Sequence, residues 1–212
     1  LGALLEEAGV PKGLVSIIPG DGAVGEHLIT HPGIDAIGFV GSSATAERIV
    51  RTAGLKRTLM EASGNGPVIV CADADISAAA EAAVFGAYWN AGQVCCATER
   101  VLVDQRIAPD FADAVIEASA AAVLGDPFDD ATTMGPLANA PTAAKMDEHI
   151  ADAVQRGARV RLGGGRASGH PTDLYSEFTV VDGVDHSMRI AREESFGPVV
   201  PIVACDGDEG ML

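Results

Sequence analysis

The chain has 212 residues, of which 48% are hydrophobic and 4% aromatic, and its formal net charge is −16. That apolar content excludes an intrinsically disordered chain, and the length is sufficient to bury a hydrophobic core. An acidic surface repels duplex nucleic acid and anionic membranes, so we expect neither as a partner.

The first part of the chain alternates between helical and extended patterns. Such alternation at short spacing is typical of an α/β fold, in which crossover helices connect parallel strands. We therefore predict half of a doubly wound sheet in this part. The predicted elements are helices at 1–8, 23–30 and 42–53, buried strands at 14–18 and 36–40, and a further extended run at 57–61.

The segment Ser63-Gly64-Asn65-Gly66-Pro67 interrupts this pattern, because its glycines and proline favour turns. We place a domain boundary at this point and predict two domains, at residues 1–64 and 65–212. Beyond the boundary the alternation resumes. It predicts strands at 68–71, 100–103, 160–162, 178–181 and 199–203, and helices at 76–90, 109–122 and 141–156.

A cysteine, Cys95, lies in the segment Gly92-Gln93-Val94-Cys95-Cys96, just past the predicted helix 76–90. Only a thiolate attacks carbonyl carbon, and a loop position of this kind suits a nucleophile. The alternative is an inert buried cysteine, which is common in proteins. Neighbouring side chains diverge, so we expect Cys96 to be a packing residue.

Two glutamates stand in unusual contexts. Glu61 lies between an apolar run and the glycine-rich turn, where a partly desolvated carboxylate could act as a general base. The alternative for Glu61 is an exposed glutamate at a strand end. Glu194 precedes Ser195-Phe196-Gly197-Pro198, a turn that could hold a carboxylate for hydrogen bonding to a sugar hydroxyl. The alternative for Glu194 is an ordinary loop acid beside a packing phenylalanine.

The segment Gly38-Phe39-Val40-Gly41-Ser42 ends a predicted strand and begins a predicted helix. Backbone N–H groups and the positive end of the helix dipole make such a junction a possible anion site. The dinucleotide fingerprint G-x-G-x-x-G is absent, so a simple tight turn is the alternative interpretation.

The cysteines and histidines indicate no metal site and no disulfide scaffold. The four cysteines match no zinc-ligand spacing, and the five histidines show none either, so no role is assigned to the histidines. Cysteine usage of this kind favours the cytoplasm as the compartment. No apolar run approaches about 18 residues, so no membrane insertion is expected.

The two ends of the chain predict a fragment. Leu1 stands within an apparent helix, and residues 206–212 contain no closing element. We therefore expect the chain to be an internal part of a longer protein.

Four segments taken in this order resemble the NAD(P)-dependent aldehyde dehydrogenase superfamily, and the resemblance extends over essentially the whole chain. It implies a doubly wound cofactor-binding domain, of which the chain holds the C-terminal half, followed by an α/β catalytic domain truncated at its C-terminal end. The segments are Phe39-Val40-Gly41-Ser42, Met60-Glu61-Ala62-Ser63-Gly64-Asn65, Asn90-Ala91-Gly92-Gln93-Val94-Cys95 and Glu193-Glu194-Ser195-Phe196-Gly197-Pro198.

The resemblance also implies the chemistry. Cys95 matches the family's nucleophile, which forms a hemithioacetal with a small-molecule aldehyde and then a thioester. Glu61 matches the general base that activates the hydrolytic water, so that the product is a free carboxylic acid.

The cofactor implied by the resemblance is NAD or NADP. Gly41 and Ser42 match the turn that meets the pyrophosphate. Glu194 matches the residue that holds the nicotinamide ribose, and Phe196 matches the aromatic residue beside the nicotinamide. The parent protein is expected to be a homo-oligomer, a dimer or a tetramer, and this chain alone is expected to be inactive.

Two other hypotheses remain open. The chain could be a truncated or degenerate relative without catalysis, which needs a partner or further segments to fold. It could also be a cysteine hydrolase that uses no nucleotide, although no histidine stands near Cys95 in a recognisable pattern.

Overall fold

A computed structural model describes residues 1–211, which divide into two compact units with the boundary between Ser63 and Gly64. Each unit combines helices with parallel strands, so the predicted α/β class is confirmed. No helix within residues 1–211 is long and apolar enough to cross a membrane. The assignment of the first part to the cofactor and of the second part to catalysis stays a prediction.

The first unit is built on two parallel strands joined by a crossover helix. The strands pair in register from Ala36 opposite Arg57 to Gly41 opposite Ala62. The crossover helix packs against both strands. The elements in chain order are α1 (Gly2–Glu7), α2 (Gly22–Thr30), β1 (Ala36–Gly41), α3 (Ser43–Ala53) and β2 (Arg57–Ala62).

Helix α3 follows directly from its sequence. The Ser42 side chain caps it by accepting a hydrogen bond from the Thr45 N–H at 3.3 Å. Apolar residues three and four positions apart then place Ala46, Ile49 and Ala53 on one buried face. The helix ends at Gly54, which takes a positive φ of 69°.

Two predictions for this unit are wrong, one of a strand and one of the burial of a strand. Residues 14–18 form no strand, and Leu14 is 71% exposed, because apolar composition alone cannot pair backbone N–H and C=O groups. Within residues 1–211 no strand pairs with that segment. Strand β1 is real but not fully buried: exposure alternates along it and Val40 is 75% exposed, because α3 covers only one face.

The second unit contains a five-stranded sheet in the order β3-β4-β7-β6-β5. All neighbouring pairs are parallel except β5 and β6. Strands β4, β6 and β7 are almost continuously buried, as expected for parallel strands covered on both faces. The elements are β3 (Pro67–Val70), α4 (Ile76–Tyr88), β4 (Arg100–Asp104), α5 (Ala108–Ser119), α6 (Ala140–Gln155), β5 (Arg159–Leu162), β6 (Thr179–Asp182) and β7 (Val199–Cys205).

The topology of this sheet decides where the loops meet. Strands β3, β4 and β7 are adjacent and parallel, so the segments that precede them lie at the same edge of the sheet. Those segments are 64–66, 92–99 and 193–198, and they contain the sequence motifs of the second unit.

Candidate active site

The loop that carries Cys95 begins where α4 ends. The helix stops at Tyr88, two residues before the predicted end, and a 3₁₀ helix, Trp89–Gly92, follows. Asn90 and Ala91 have left-handed φ values of 52° and 56°, which break the α-helix. The chain thereby turns out of the helix before it reaches the cysteine.

The side-chain amide of Gln93 stabilises this loop through hydrogen bonds. Its Nε2 donates to the Asn90 carbonyl at 3.0 Å, and the Asn90 Nδ2 donates to the Gln93 carbonyl at 3.1 Å. The Gln93 Oε1 accepts the Ala138 N–H at 2.7 Å. The loop that carries Cys95 is therefore hydrogen-bonded to the segment that leads into α6.

Both cysteines of the loop are exposed. Exposure of Cys95 is what a nucleophile requires, because the sulfur must reach a substrate carbon. The expectation that Cys96 packs inside is wrong. Ala97 and Thr98 point inward instead, with 4% and 7% exposure.

Two glycines let three backbone segments approach closely at the sheet edge. A Cβ atom on Gly64 would overlap the carbonyl oxygen of Cys95, and one on Gly92 would overlap the carbonyl oxygen of Gly197. Only glycine permits such contact, because it has no Cβ atom. The Cys95 loop therefore contacts both the 64–66 turn and the 193–198 loop.

Glu194 lies beside the same turn. Its Oε1 accepts the Gly64 N–H at 3.0 Å, and the neighbouring Glu193 carbonyl accepts the Asn65 Nδ2 at 3.2 Å. Glu194 and Phe196 are each half-buried. Within the second unit, the structure thus brings Glu194 and Phe196 to the loop of Cys95.

A buried carboxylate that sequence reasoning missed holds the 193–198 loop. Glu99 is 3% exposed, and its two oxygens accept the N–H groups of Ser195 at 2.9 Å and Phe196 at 2.8 Å. Burial raises the pKa of Glu99 to about 7, although the two N–H groups act in the opposite direction. The available signal was an acidic residue directly before an apolar strand.

His149, to which no role was assigned, is also part of this arrangement. It is completely buried on α6, and its Nδ1 lies 3.0 Å from the Ser195 Oγ. Its Nε2 lies 3.3 Å from a carboxylate oxygen of Glu193. Burial and the nearby positive charge of Arg189 lower the pKa of His149, which favours the neutral ring.

The remaining candidate residues belong to the first unit. Gly41 ends β1, and the Ser42 hydroxyl is engaged in capping α3. Glu61 stands in β2 opposite Val40 and is exposed, so the partly desolvated setting expected for it is not found. Its role as a general base stays a prediction, as do the roles of the other candidates.

The whole chain, residues 1–212, matches the aldehyde dehydrogenase family. Vanillin dehydrogenase of Pseudomonas fluorescens is 37% identical over 218 residues, which cover 100% of this chain and 44% of the relative. Retinaldehyde dehydrogenase 3 of Homo sapiens is 39% identical over 216 residues, which cover 100% of this chain and 42% of the relative. The chain spans less than half the length of these curated relatives.

Solved structures with the same fold carry the same family name. The aldehyde dehydrogenase KauB of Pseudomonas aeruginosa matches with a TM-score of 0.94 and 38% identity, over 99% of this chain and 43% of KauB. The betaine aldehyde dehydrogenase of Staphylococcus aureus, solved in complex with NAD+, matches with a TM-score of 0.90 and 34% identity, over 99% of this chain and 43% of that enzyme. Sequence and structure therefore agree that the chain belongs to the aldehyde dehydrogenase family.

Proposed function

We propose that the whole protein is an NAD(P)-dependent aldehyde dehydrogenase, which oxidises a small-molecule aldehyde to a carboxylic acid through Cys95. The observation that carries the proposal is an exposed cysteine, Cys95, in a family member, next to the turn that binds Glu194. Relatives named for vanillin, retinaldehyde and betaine aldehyde support an aldehyde as the substrate class.

The chemistry assigned to the chain's own residues has two stages. The Cys95 thiolate adds to the aldehyde carbon, and departure of a hydride from that carbon leaves a thioester on the sulfur. Water then adds to the thioester carbon while Glu61 takes its proton. The carbon–sulfur bond breaks, which releases the carboxylic acid and restores the thiolate.

The residues present fit a nicotinamide dinucleotide, whose chemical contribution when bound is to accept the hydride. Glu194 uses one carboxylate oxygen on Gly64, and in residues 1–211 its second oxygen has no partner, which leaves an acceptor for a ribose hydroxyl. Phe196 offers a half-exposed ring for the nicotinamide. At the start of α3, backbone N–H groups rather than the engaged Ser42 hydroxyl would face the pyrophosphate.

The proposal also covers the choice of cofactor, the oligomeric state and the cellular compartment. Either NAD or NADP suits these groups, and among the solved relatives one is bound to NAD+ while an E. coli one is described as NADP dependent. We also propose a cytoplasmic homo-oligomer, a dimer or a tetramer, that needs neither nucleic acid nor membrane as a partner.

The test compares two adjacent, exposed cysteines in the full-length protein. Reduction of NAD+ or NADP+ is followed by absorbance with a panel of aldehydes. We expect Cys95→Ala to lower the rate by more than about 1000-fold, because the covalent path is lost. Cys96→Ala serves as the matched control and should keep activity within about threefold of the wild type, as expected of a surface substitution. Retention of activity in Cys95→Ala would refute the proposal.

A further inference from the structure

The 193–198 loop has no regular secondary structure. Its first N–H group, that of Glu193, donates to the Arg189 carbonyl at 2.8 Å, whereas the N–H groups of Ser195 and Phe196 donate to a side chain. The loop nevertheless carries Glu194 and Phe196, the two residues proposed to hold the nicotinamide end of the dinucleotide. Side chains can be presented precisely only if the backbone that carries them is fixed. The groups that fix this backbone therefore bear on cofactor binding.

Glu99 supplies the fixing contacts. Its carboxylate accepts from two consecutive N–H groups, those of Ser195 and Phe196, across 96 and 97 residues of sequence. Above its pKa of about 7 this carboxylate is ionised, and hydrogen bonds to an ionised acceptor are about twice as strong as those between neutral groups. Phe196 has a left-handed φ of 56°, a disfavoured conformation that must be held by its surroundings.

A second contact comes from α6. His149 is fully buried, and its Nδ1 lies 3.0 Å from the Ser195 hydroxyl. On the same helix, the Lys145 ammonium lies 5.8 Å from the centre of the Phe196 ring. Two elements thus contact Ser195 and Phe196, and Glu99 is the side chain that binds their backbone N–H groups.

We propose that Glu99 is a positioning residue for the dinucleotide site, which fixes the backbone of Ser195 and Phe196 and thereby the side chains of Glu194 and Phe196. Glu99 itself touches neither substrate nor cofactor. The inference rests on the proposed function in one respect, namely that Glu194 and Phe196 contact a nicotinamide dinucleotide.

The chemistry requires a carboxylate of this length. Glutamine at this position keeps one acceptor oxygen but turns an NH2 group toward an N–H donor, so one of the two bonds is lost. Aspartate keeps both oxygens but is one methylene shorter, so its oxygens cannot reach the same positions. Both substitutions alter the hydrogen bonds to the loop backbone and leave the side chains of Glu194 and Phe196 unchanged.

The experiment measures dinucleotide affinity in the full-length protein for the wild type, Glu99→Gln, Glu99→Asp and a control. The control is Asp104→Asn, which alters the other buried carboxylate of this region, at the far end of β4, where it binds Arg106. NAD+ and NADP+ are titrated by fluorescence, and amide hydrogen exchange is followed in residues 193–198.

We expect Glu99→Gln to weaken dinucleotide binding by about 10-fold to 100-fold, the range for hydrogen bonds to charged groups, and to speed exchange at residues 195 and 196. Asp104→Asn should change the affinity by less than about twofold while lowering thermal stability, since it lies far from the loop. Should Glu99→Gln fail to fold, Glu99→Asp is used, with a several-fold loss expected.

Unchanged affinity and exchange in the glutamate variants, or an equal loss in Asp104→Asn, would overturn the inference. A wild type that binds no dinucleotide would overturn it as well. If the wild type binds dinucleotide but oxidises no aldehyde, only the proposed function is rejected. The effect of the Glu99 substitutions on dinucleotide affinity can still be measured in that case.

Discussion

Glu99 couples folding to pH as well as holding a loop. Burial raises its pKa from an ordinary value of 4.5 to about 7, and the charge of Glu194 acts in the same direction. The two N–H groups and the Lys145 ammonium act against this rise. Because the folded state binds the proton more tightly than the unfolded state, protonated Glu99 favours folding. That stability is present below the unfolded pKa and is lost as the pH rises through about 7.

The prediction compares the free energy of unfolding of the wild type and Glu99→Gln. Between about pH 5 and about pH 8 the wild type should lose roughly 2–3 kcal/mol relative to the variant, which has no proton to release. Urea denaturation at both pH values measures this difference. Titratable groups distant from Glu99 are unchanged between the two proteins, so their contributions cancel in the comparison. Parallel pH profiles for the two proteins would contradict the prediction.

At the scale of elements, the site depends on backbone segments that meet at one edge of the second unit's sheet. Gly92, at the end of the 3₁₀ helix, has a φ of 71° and faces the Gly197 carbonyl. Gly157, just past α6, has a φ of 103° with nothing within 4 Å of a Cβ atom. At both positions the φ angle is unfavourable for residues other than glycine. A Cβ atom would have room at Gly157 but would overlap a neighbouring carbonyl oxygen at Gly92.

We therefore predict different costs for alanine at these two glycines. Gly157→Ala should destabilise the protein by about 1 kcal/mol, the cost of a positive φ alone. Gly92→Ala should cost about 1–3 kcal/mol more, because a backbone segment must move to admit the methyl group. Urea denaturation of both variants measures the difference. Equal destabilisation would show that the close approach of residues 92 and 197 is not needed for stability.

At the scale of the whole molecule, the two units differ sharply in how much they bury. Within residues 1–63, only Ala46, Ile49 and Ala53 are buried, whereas the second unit contains a large core around α4, α5 and the central strands. Burial of apolar surface is the main term that offsets the conformational entropy lost on folding. In a polypeptide of these 212 residues, buried apolar surface therefore contributes little to the stability of the first unit.

Hydrogen exchange on that polypeptide tests this difference. The probes are the amides bonded to a neighbouring strand in β1, which has one parallel neighbour, and in β4, which has two. Amides of β1 should exchange at least about 100-fold faster than those of β4, because local opening costs less where few apolar contacts must break. Comparable protection of the two strands would contradict the prediction.

The sequence by itself determined the local features of this protein. Apolar patterns located α3, β4 and α6. The glycine-rich segment around Gly64 predicted a domain boundary at that point. The same local reasoning placed Cys95 in a loop past a helix. These features depend on neighbours along the chain, so sequence patterns carry them.

Tertiary structure alone decided the rest. Residues 14–18 look like a strand, but a strand exists only with a partner to pair its backbone groups. The bond between Gly64 and Glu194 spans 130 residues, and the bonds of Glu99 span nearly 100. Such pairs arise because the sheet places β3, β4 and β7 side by side, so that the segments before these strands meet. Strand order is a property of the whole packed core, and no local pattern encodes it.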